Sequence, residues 1–130
     1  MDTPVLRIGC FVIAVLSFIY GAVFLIAPGA FAAYSQAQSV NLAWLRNVGA
    51  ALVAVQGVGL LIAARNLTAR VELLFVVALA SAVESIALWI SLALGEFSAD
   101  FTPAIVLPAV LSTLASVFLF AAVWKLARGF

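Results

Sequence analysis

Glu84 is the residue of this sequence best placed to do chemistry, because it interrupts a long apolar segment. Between Leu73 and Leu94 it is the only ionisable residue. A carboxyl group in such surroundings needs a hydrogen-bond partner that apolar neighbours do not offer. Two interpretations follow: Glu84 holds the fold together through a buried hydrogen bond, or it binds and releases a proton or a substrate. The sequence leaves both open.

The composition defines the environment of Glu84. Of the 130 residues, 68% are hydrophobic and 8% are charged, whereas soluble domains hold about 45–50% apolar and about 25% charged residues. A soluble domain of this size would expose much of that apolar surface to water. The composition therefore predicts an integral membrane protein, and the net charge of +1 predicts no binding to nucleic acid.

Four apolar segments divide the chain, each close to the roughly 20 residues that a helix needs to cross a bilayer. The predicted spans are Leu6–Ile26, Trp44–Ala64, Val71–Leu94 and Ala104–Leu126. Helices are expected because lipid offers the backbone no hydrogen-bond partners. The prediction is an all-α protein, a single four-transmembrane-helix bundle over residues 1–130. In its longest loop, residues 30–40 form either a short interfacial helix or an irregular loop.

The basic residues predict the orientation of this bundle. Five of the six lie on one side of a four-span chain: Arg7, Arg65, Arg70, Lys125 and Arg128. Only Arg46 lies on the other side, near Glu96 and Asp100. Because cytoplasmic loops are enriched in Lys and Arg, both termini are expected in the cytoplasm.

The other spans contribute polar residues at a height similar to that of Glu84. Counted at about 1.5 Å per residue, Tyr20 and Ser112 reach the same level, and Gln56 lies slightly lower. Each of these residues needs a partner that lipid cannot provide. Tyr20, Gln56, Glu84 and Ser112 therefore form a predicted polar layer, with one residue from each helix.

The third span has two faces in the predicted helix. Glu84 shares one face with small residues, namely Ala80, Ser81, Ala87 and Ser91. That face is predicted to pack inward. The large residues Phe75, Leu79, Ile86 and Ile90 fall opposite, and these are predicted to contact lipid.

Arg46 has two interpretations, because it begins a span on the side where basic residues are scarce. Its long side chain extends to the lipid headgroups of the outer leaflet, or it pairs with Glu84 or Asp100. In the second case the pair would hold the second span against the third span or against the outer loop.

Small residues on the second span indicate close helix packing. Ala50, Ala54 and Gly57 share one predicted face, and Gly49 and Gln56 lie on a neighbouring face. These faces are expected mainly to serve packing within the bundle. A dimer interface is the second interpretation.

The sequence offers no catalytic set. It contains no histidine, and its single cysteine, Cys10, lies within an apolar segment. Paired carboxylates and phosphate-binding glycine motifs are also absent from the sequence. We therefore expect no enzymatic activity, no metal site and no cofactor.

One pattern in the first half of the chain resembles a known family. Gly21, Pro28 and Phe31 are followed by the segment Leu45-Arg46-Asn47-Val48-Gly49-Ala50. This pattern is similar to that of DoxX-like small four-helix bacterial membrane proteins. The resemblance implies a four-helix bundle in the bacterial inner membrane, and some members of the family serve as membrane subunits beside redox enzymes. It supplies no catalytic residues.

Two functions remain open on these grounds. The leading one is a small accessory or scaffold subunit that packs with a larger membrane complex or with itself, surrounded by membrane lipid and holding a lipid or quinone between its helices. The alternative is a homo-oligomeric transporter or channel for a small molecule or ion, which would use Glu84 together with Gln56, Tyr20, Ser112 and Arg46.

Overall fold

The computed structural model describes residues 4–35, 41–97 and 103–128, and every regular element in these ranges is helical. Four helices are long and apolar enough to cross a membrane: Pro4–Ile26, Leu42–Arg65, Val71–Ala93 and Ile105–Arg128. They match the predicted spans to within a few residues. The all-α class with four spans is therefore confirmed, and the helices indicate a multi-pass integral membrane protein.

Local sequence signals explain where the helices begin and end. Helix α1 covers Pro4–Ile26, and Pro28 then opens α2, Pro28–Ser35, because proline suits the first position of a helix. The second span begins after Asn41, whose side-chain oxygen accepts hydrogen bonds from the backbone N–H groups of Ala43 and Trp44 at 3.0 and 3.2 Å. This is the usual role of an N-cap residue.

The third and fourth spans have similar boundary signals. Helix α5 covers Val71–Ala93 and is followed by Gly95 at a φ of 68°, a left-handed conformation that favours glycine after a helix. Helix α6 covers Pro103–Arg128, so the proline again stands at the first helical position.

The second span is not a uniform α-helix. It consists of α3, Leu42–Ala51, then a π-helical segment, Leu52–Gly59, and then α4, Leu60–Arg65. A π-helix bonds each residue to one five positions away and is rare in proteins, where it often accompanies functional sites. Gln56 lies near the middle of this segment.

The spans pack as two antiparallel helix pairs. Helix α1 packs along the second span, where Phe18 lies against Gly57 and the backbone at Gly21 lies against Gly49. Helix α5 packs along α6, with Phe75 near Phe120 at one end. The second and third spans contact each other and join the two pairs into one bundle.

Two apolar clusters fill the interior at different heights. The larger cluster lies toward the end that carries the N-terminal start of α1, and all four spans contribute, for example through Cys10, Leu60, Leu74 and Leu119. The smaller cluster lies toward the other end and contains Leu92, Ile105 and Ala109. On α5 the buried residues between the clusters are serines, so the middle of the bundle is its polar part.

The buried face of α5 differs from the predicted one. Its buried residues are Leu74, Val77, Ala78, Ser81, Ser85 and Leu92. The prediction that Ala87 faces inward is wrong, because Ala87 is exposed. At about 100° per residue, the true face is rotated by roughly a quarter turn, since Leu74 and Val77 are needed to fill the apolar end of the bundle. Phe75, Leu79, Ile86 and Ile90 are exposed, as predicted.

The longest loop is helical in its described part. Helix α2, Pro28–Ser35, lies against α1, α3 and α6. For residues 30–40 either a helix or an irregular loop was expected, and the first half of that segment is helical. Residues 36–40 of that segment lie outside the described residues.

Candidate polar site within the bundle

Gln56 and Glu84 contact each other across the interface between the second and third spans. The Nε2 group of Gln56 donates a hydrogen bond to Oε2 of Glu84. Gln56 is 2% exposed, whereas Glu84 is only partly buried. The π-helical segment thus presents an amide to the one carboxyl group in the middle of α5, and two of the five predicted site residues are joined directly.

Only one of the two polar atoms of the Gln56 amide has a hydrogen-bond partner. Its Oε1 atom is buried and has no hydrogen-bond partner, a state found for no other buried side-chain N or O atom in the described ranges. A buried acceptor without a donor costs about 1–3 kcal/mol. This oxygen therefore marks a position where a hydrogen-bond donor would be stabilising.

Ser112 and Tyr20, the other members of the predicted layer, make contacts within their own helices. The Ser112 hydroxyl donates to the carbonyl oxygen of Ala109 in its own helix at 3.0 Å. The ring of Tyr20 packs edge-on against Phe24, with 5.9 Å between ring centroids. Height along the helix does not determine these contacts, because they also depend on the direction of each side chain around its helix.

A second polar contact, centred on Thr113, was not predicted from the sequence. Thr113 Oγ1 lies 2.8 Å from Ser85 Oγ and accepts a hydrogen bond from Trp89 Nε1 at 2.8 Å. It also lies 2.8 Å from the carbonyl oxygen of Ala109, to which it donates. The sequence pattern that could have indicated this contact is the spacing of Ser85 and Trp89. They lie four residues apart on one helix, and the next span carries a threonine.

Two further buried hydroxyls, those of Ser17 and Ser116, are available to other groups only as acceptors. Ser17 donates to the carbonyl oxygen of Ile13 at 2.8 Å, and Ser116 donates to that of Ser112 at 2.7 Å. A hydroxyl has a single proton, so a serine that donates to its own helix offers only lone pairs to other groups. These two hydroxyls therefore suit a donor or a positive charge better than an anion.

Arg46 lies at the opposite end of the second span from Arg65 and contacts the first span. Its Nη1 donates to the carbonyl oxygen of Leu25 at 2.6 Å, in the last turn of α1. Carbonyl groups in that turn lack intrahelical partners, and a cation there also interacts favourably with the helix dipole. The Arg46–Glu84 ion pair is not formed, since Glu84 bonds to Gln56 instead. Asp100, the other expected partner, lies outside the described residues.

The described residues contain no group of three or more His, Cys, Asp or Glu side chains placed to hold a metal ion. The side chain of Cys10 is fully buried. In the middle of the bundle, the polar groups near Glu84 are the amide of Gln56 and the hydroxyl groups of the neighbouring serines.

Comparison with known proteins gives no match: no family model, no curated protein and no solved structure is similar to this chain. The resemblance to DoxX-like proteins therefore stays a prediction. Two of the residues that carry it, Gly21 and Gly49, contact each other.

Proposed function

We propose that this chain is a small accessory or scaffold subunit that acts by lateral association within the membrane, with a larger membrane complex or with a second copy of itself. We further propose that it resides in the inner membrane of a bacterium with both termini in the cytoplasm. The four membrane-length helices support the proposal, since they account for most of the described residues. The positions of the basic residues support the orientation.

The observation that carries this proposal is an outward face of small residues on the second span. Ala43, Asn47, Ala50 and Ala54 are all exposed and follow one another at helical spacing. We call this surface the alanine face. Small residues let another helix approach closely, whereas they bury little surface against lipid.

The alanine face differs from the expected use of these residues. Ala50 and Ala54 were expected to serve mainly packing within the bundle, on one face with Gly57. Gly57 is buried against Phe18, whereas the two alanines are exposed. The π-helical segment explains the separation, because it turns through fewer degrees per residue than an α-helix.

Asn47 gives the alanine face a polar group. Its Nδ2 donates to the carbonyl oxygen of Ala43 at 2.9 Å, and its side chain is exposed. An amide on the outer surface of a membrane helix is stabilised when a neighbouring helix supplies a hydrogen bond. This favours a protein partner over lipid alone at this surface.

The proposal is tested by purifying the protein in a mild detergent and measuring what accompanies it. We expect a stoichiometric membrane-protein partner, or a second copy, with the wild-type chain and with Ala87→Leu. Ala54→Leu should lose that partner, because the larger side chain blocks close approach. Ala54 and Ala87 are both exposed alanines on spans, so the pair is matched. A wild-type protein that is monomeric and alone in lipid nanodiscs would contradict the proposal, as would equal loss in both variants.

A second candidate function is a homo-oligomeric transporter or channel that uses Glu84. Gln56, which bonds to Glu84, lies in a π-helical segment. This favours transport, because π-helical segments often accompany functional sites. Four helices enclose little space, so this function requires a symmetric oligomer. A symmetric oligomer with pH-dependent flux in vesicles, abolished by Glu84→Gln, would support transport over scaffolding.

A further inference from the structure

The hydrogen bonds of Gln56 are arranged in an unfavourable way. An amide carries two N–H donors and one oxygen acceptor. In the structure Nε2 faces Glu84, and the buried Oε1 has no partner. The side chain is 2% exposed, so bulk water does not supply the missing donor. The lack of a hydrogen-bond donor for Gln56 Oε1 therefore needs a physical explanation.

Rotating the amide by half a turn changes which atom meets the carboxyl group. The two orientations of a glutamine amide have nearly the same shape and are distinguished only by their hydrogen bonds. After rotation, Gln56 Oε1 would face Glu84 Oε2, and two oxygens repel each other unless a hydrogen lies between them. One proton on Glu84 provides that hydrogen and gives the buried oxygen its donor.

The rotated amide also suits its surroundings. Its Nε2 group would turn to the side where Oε1 now lacks a donor, within a layer whose hydroxyls present lone pairs. Ser81 is buried on α5 one turn before Ser85. The Ser17 and Ser116 hydroxyls donate hydrogen bonds to carbonyl oxygens of their own helices. The Ser17 and Ser116 hydroxyls thus offer acceptors to an N–H group and no proton to an oxygen.

No basic side chain in the described ranges neutralises Glu84. The elements packed against α5 are the π-helical segment, α4 and α6. The π-helical segment has no charged residue, and the charged residues of the other two are Arg65, Lys125 and Arg128, all exposed at one end of the bundle. From Arg65 to Gln56 the separation along the helix is about 13 Å.

Two further charged residues, one on α5 and one on α3, are distant from Glu84 or bonded elsewhere. Glu72 is exposed in the first turn of α5, about 18 Å along the helix from Glu84. Arg46 bonds to Leu25. A carboxylate within a membrane is costly without a counter-charge, and a proton is the species that removes this cost at the Gln56–Glu84 pair.

We propose that Glu84 and Gln56 form an intramembrane proton-binding site. In the loaded state one proton, taken up from water, is bonded to Glu84 Oε2 and donated to Gln56 Oε1. On release the proton returns to water, the amide rotates back, and Gln56 Nε2 again donates to Glu84 Oε2. This site goes beyond the scaffold function and does not depend on it.

The test is infrared difference spectroscopy of the protein in lipid vesicles, comparing acidic with alkaline buffer. Because the chain has five Asp and Glu residues, the wild-type spectrum should contain several protonated-carboxyl carbonyl bands. We expect one of them to be missing from Glu84→Gln and kept in Glu72→Gln. In Gln56→Leu, which removes the acceptor, the same band should move to higher frequency. Because Gln56→Leu keeps Glu84, its spectrum tests the protonation of Glu84 even if Glu84→Gln does not fold.

Three results would overturn the proposal. Wild-type and folded Glu84→Gln spectra that are identical would show that Glu84 does not exchange a proton. An unshifted band in Gln56→Leu would show that the proton does not lie on the Gln56 oxygen. Loss of the band on adding sodium ions at constant pH would show that a metal cation, and not a proton, is the natural occupant.

Discussion

Gly49 of α3 contacts the backbone of α1 at Gly21 so closely that neither position has room for a side chain. A Cβ atom at Gly49 would lie 2.7 Å from the Gly21 carbonyl oxygen and 2.6 Å from the Leu25 nitrogen. A Cβ atom at Gly21 would lie 3.0 Å from the Gly49 carbonyl oxygen. These backbone contacts set the distance between the first and second spans, and that distance lets Arg46 reach Leu25.

Gly49→Ala should destabilise the bundle by about 1–3 kcal/mol, the usual cost of overpacking. The contacted atoms belong mainly to backbone, which cannot move aside as a flexible side chain can. Unfolding by titration with a denaturing detergent measures the change. Gly29→Ala is the control, because the nearest atom to its new Cβ would be Leu42 Cδ1 at 3.9 Å. Equal stability of the two variants would contradict the close contact.

Thr113→Val should weaken the association of α5 with α6. The variant removes the acceptor of the Trp89 indole N–H and the partner of the Ser85 hydroxyl. Hydrogen bonds between membrane helices contribute about 0.6 kcal/mol each on average, so we expect a loss of about 1 kcal/mol in unfolding free energy. Thr113→Ser keeps the hydroxyl and should retain most of the stability. A valine variant as stable as the serine variant would show that these bonds do not hold the helices together.

Arg46→Ala should lower stability by about 0.3–1 kcal/mol, the contribution expected for a cation near a helix C-terminus. The cause is loss of the hydrogen bond to the Leu25 carbonyl oxygen. A double-mutant cycle with Glu84→Gln separates this contact from an ion pair with Glu84. The structure predicts independent effects, since the two residues share no contact. Non-additive effects in that cycle would restore the Arg46–Glu84 pair as an explanation.

The sequence was informative about the spans, which depend on apolar content, and about the contact between Glu84 and Gln56, which depends on their heights along the helices. The four spans follow from apolar length, and counting residues placed Gln56 only slightly lower than Glu84. Both predictions use only the rise of a helix, which hardly depends on neighbouring residues.

Rotation around the helix axis was much harder to predict. The inward face of α5 was chosen for small and polar residues, and the structure instead buries Leu74 and Val77 with Ser81 and Ser85. The π-helical segment had no recognisable sequence signal, yet it separates Gly57 from Ala54. Such features depend on how neighbouring helices fill space together, which a single sequence does not report.

Accessibility of introduced cysteines provides a direct test of the proposed orientation. Cys10 is fully buried, so it should react little with a membrane-impermeant maleimide and leave a low background.

Ala69, in the turn before α5, and Leu94, just after it, are both exposed and lie at opposite ends of that helix. With both termini in the cytoplasm, Leu94→Cys should be labelled on intact cells from which any outer membrane has been removed. Ala69→Cys should be labelled only after the membrane is permeabilised, because its turn carries Arg65 and Arg70 on the cytoplasmic side. The reverse labelling pattern would contradict the proposed orientation and leave the four-span fold unchanged.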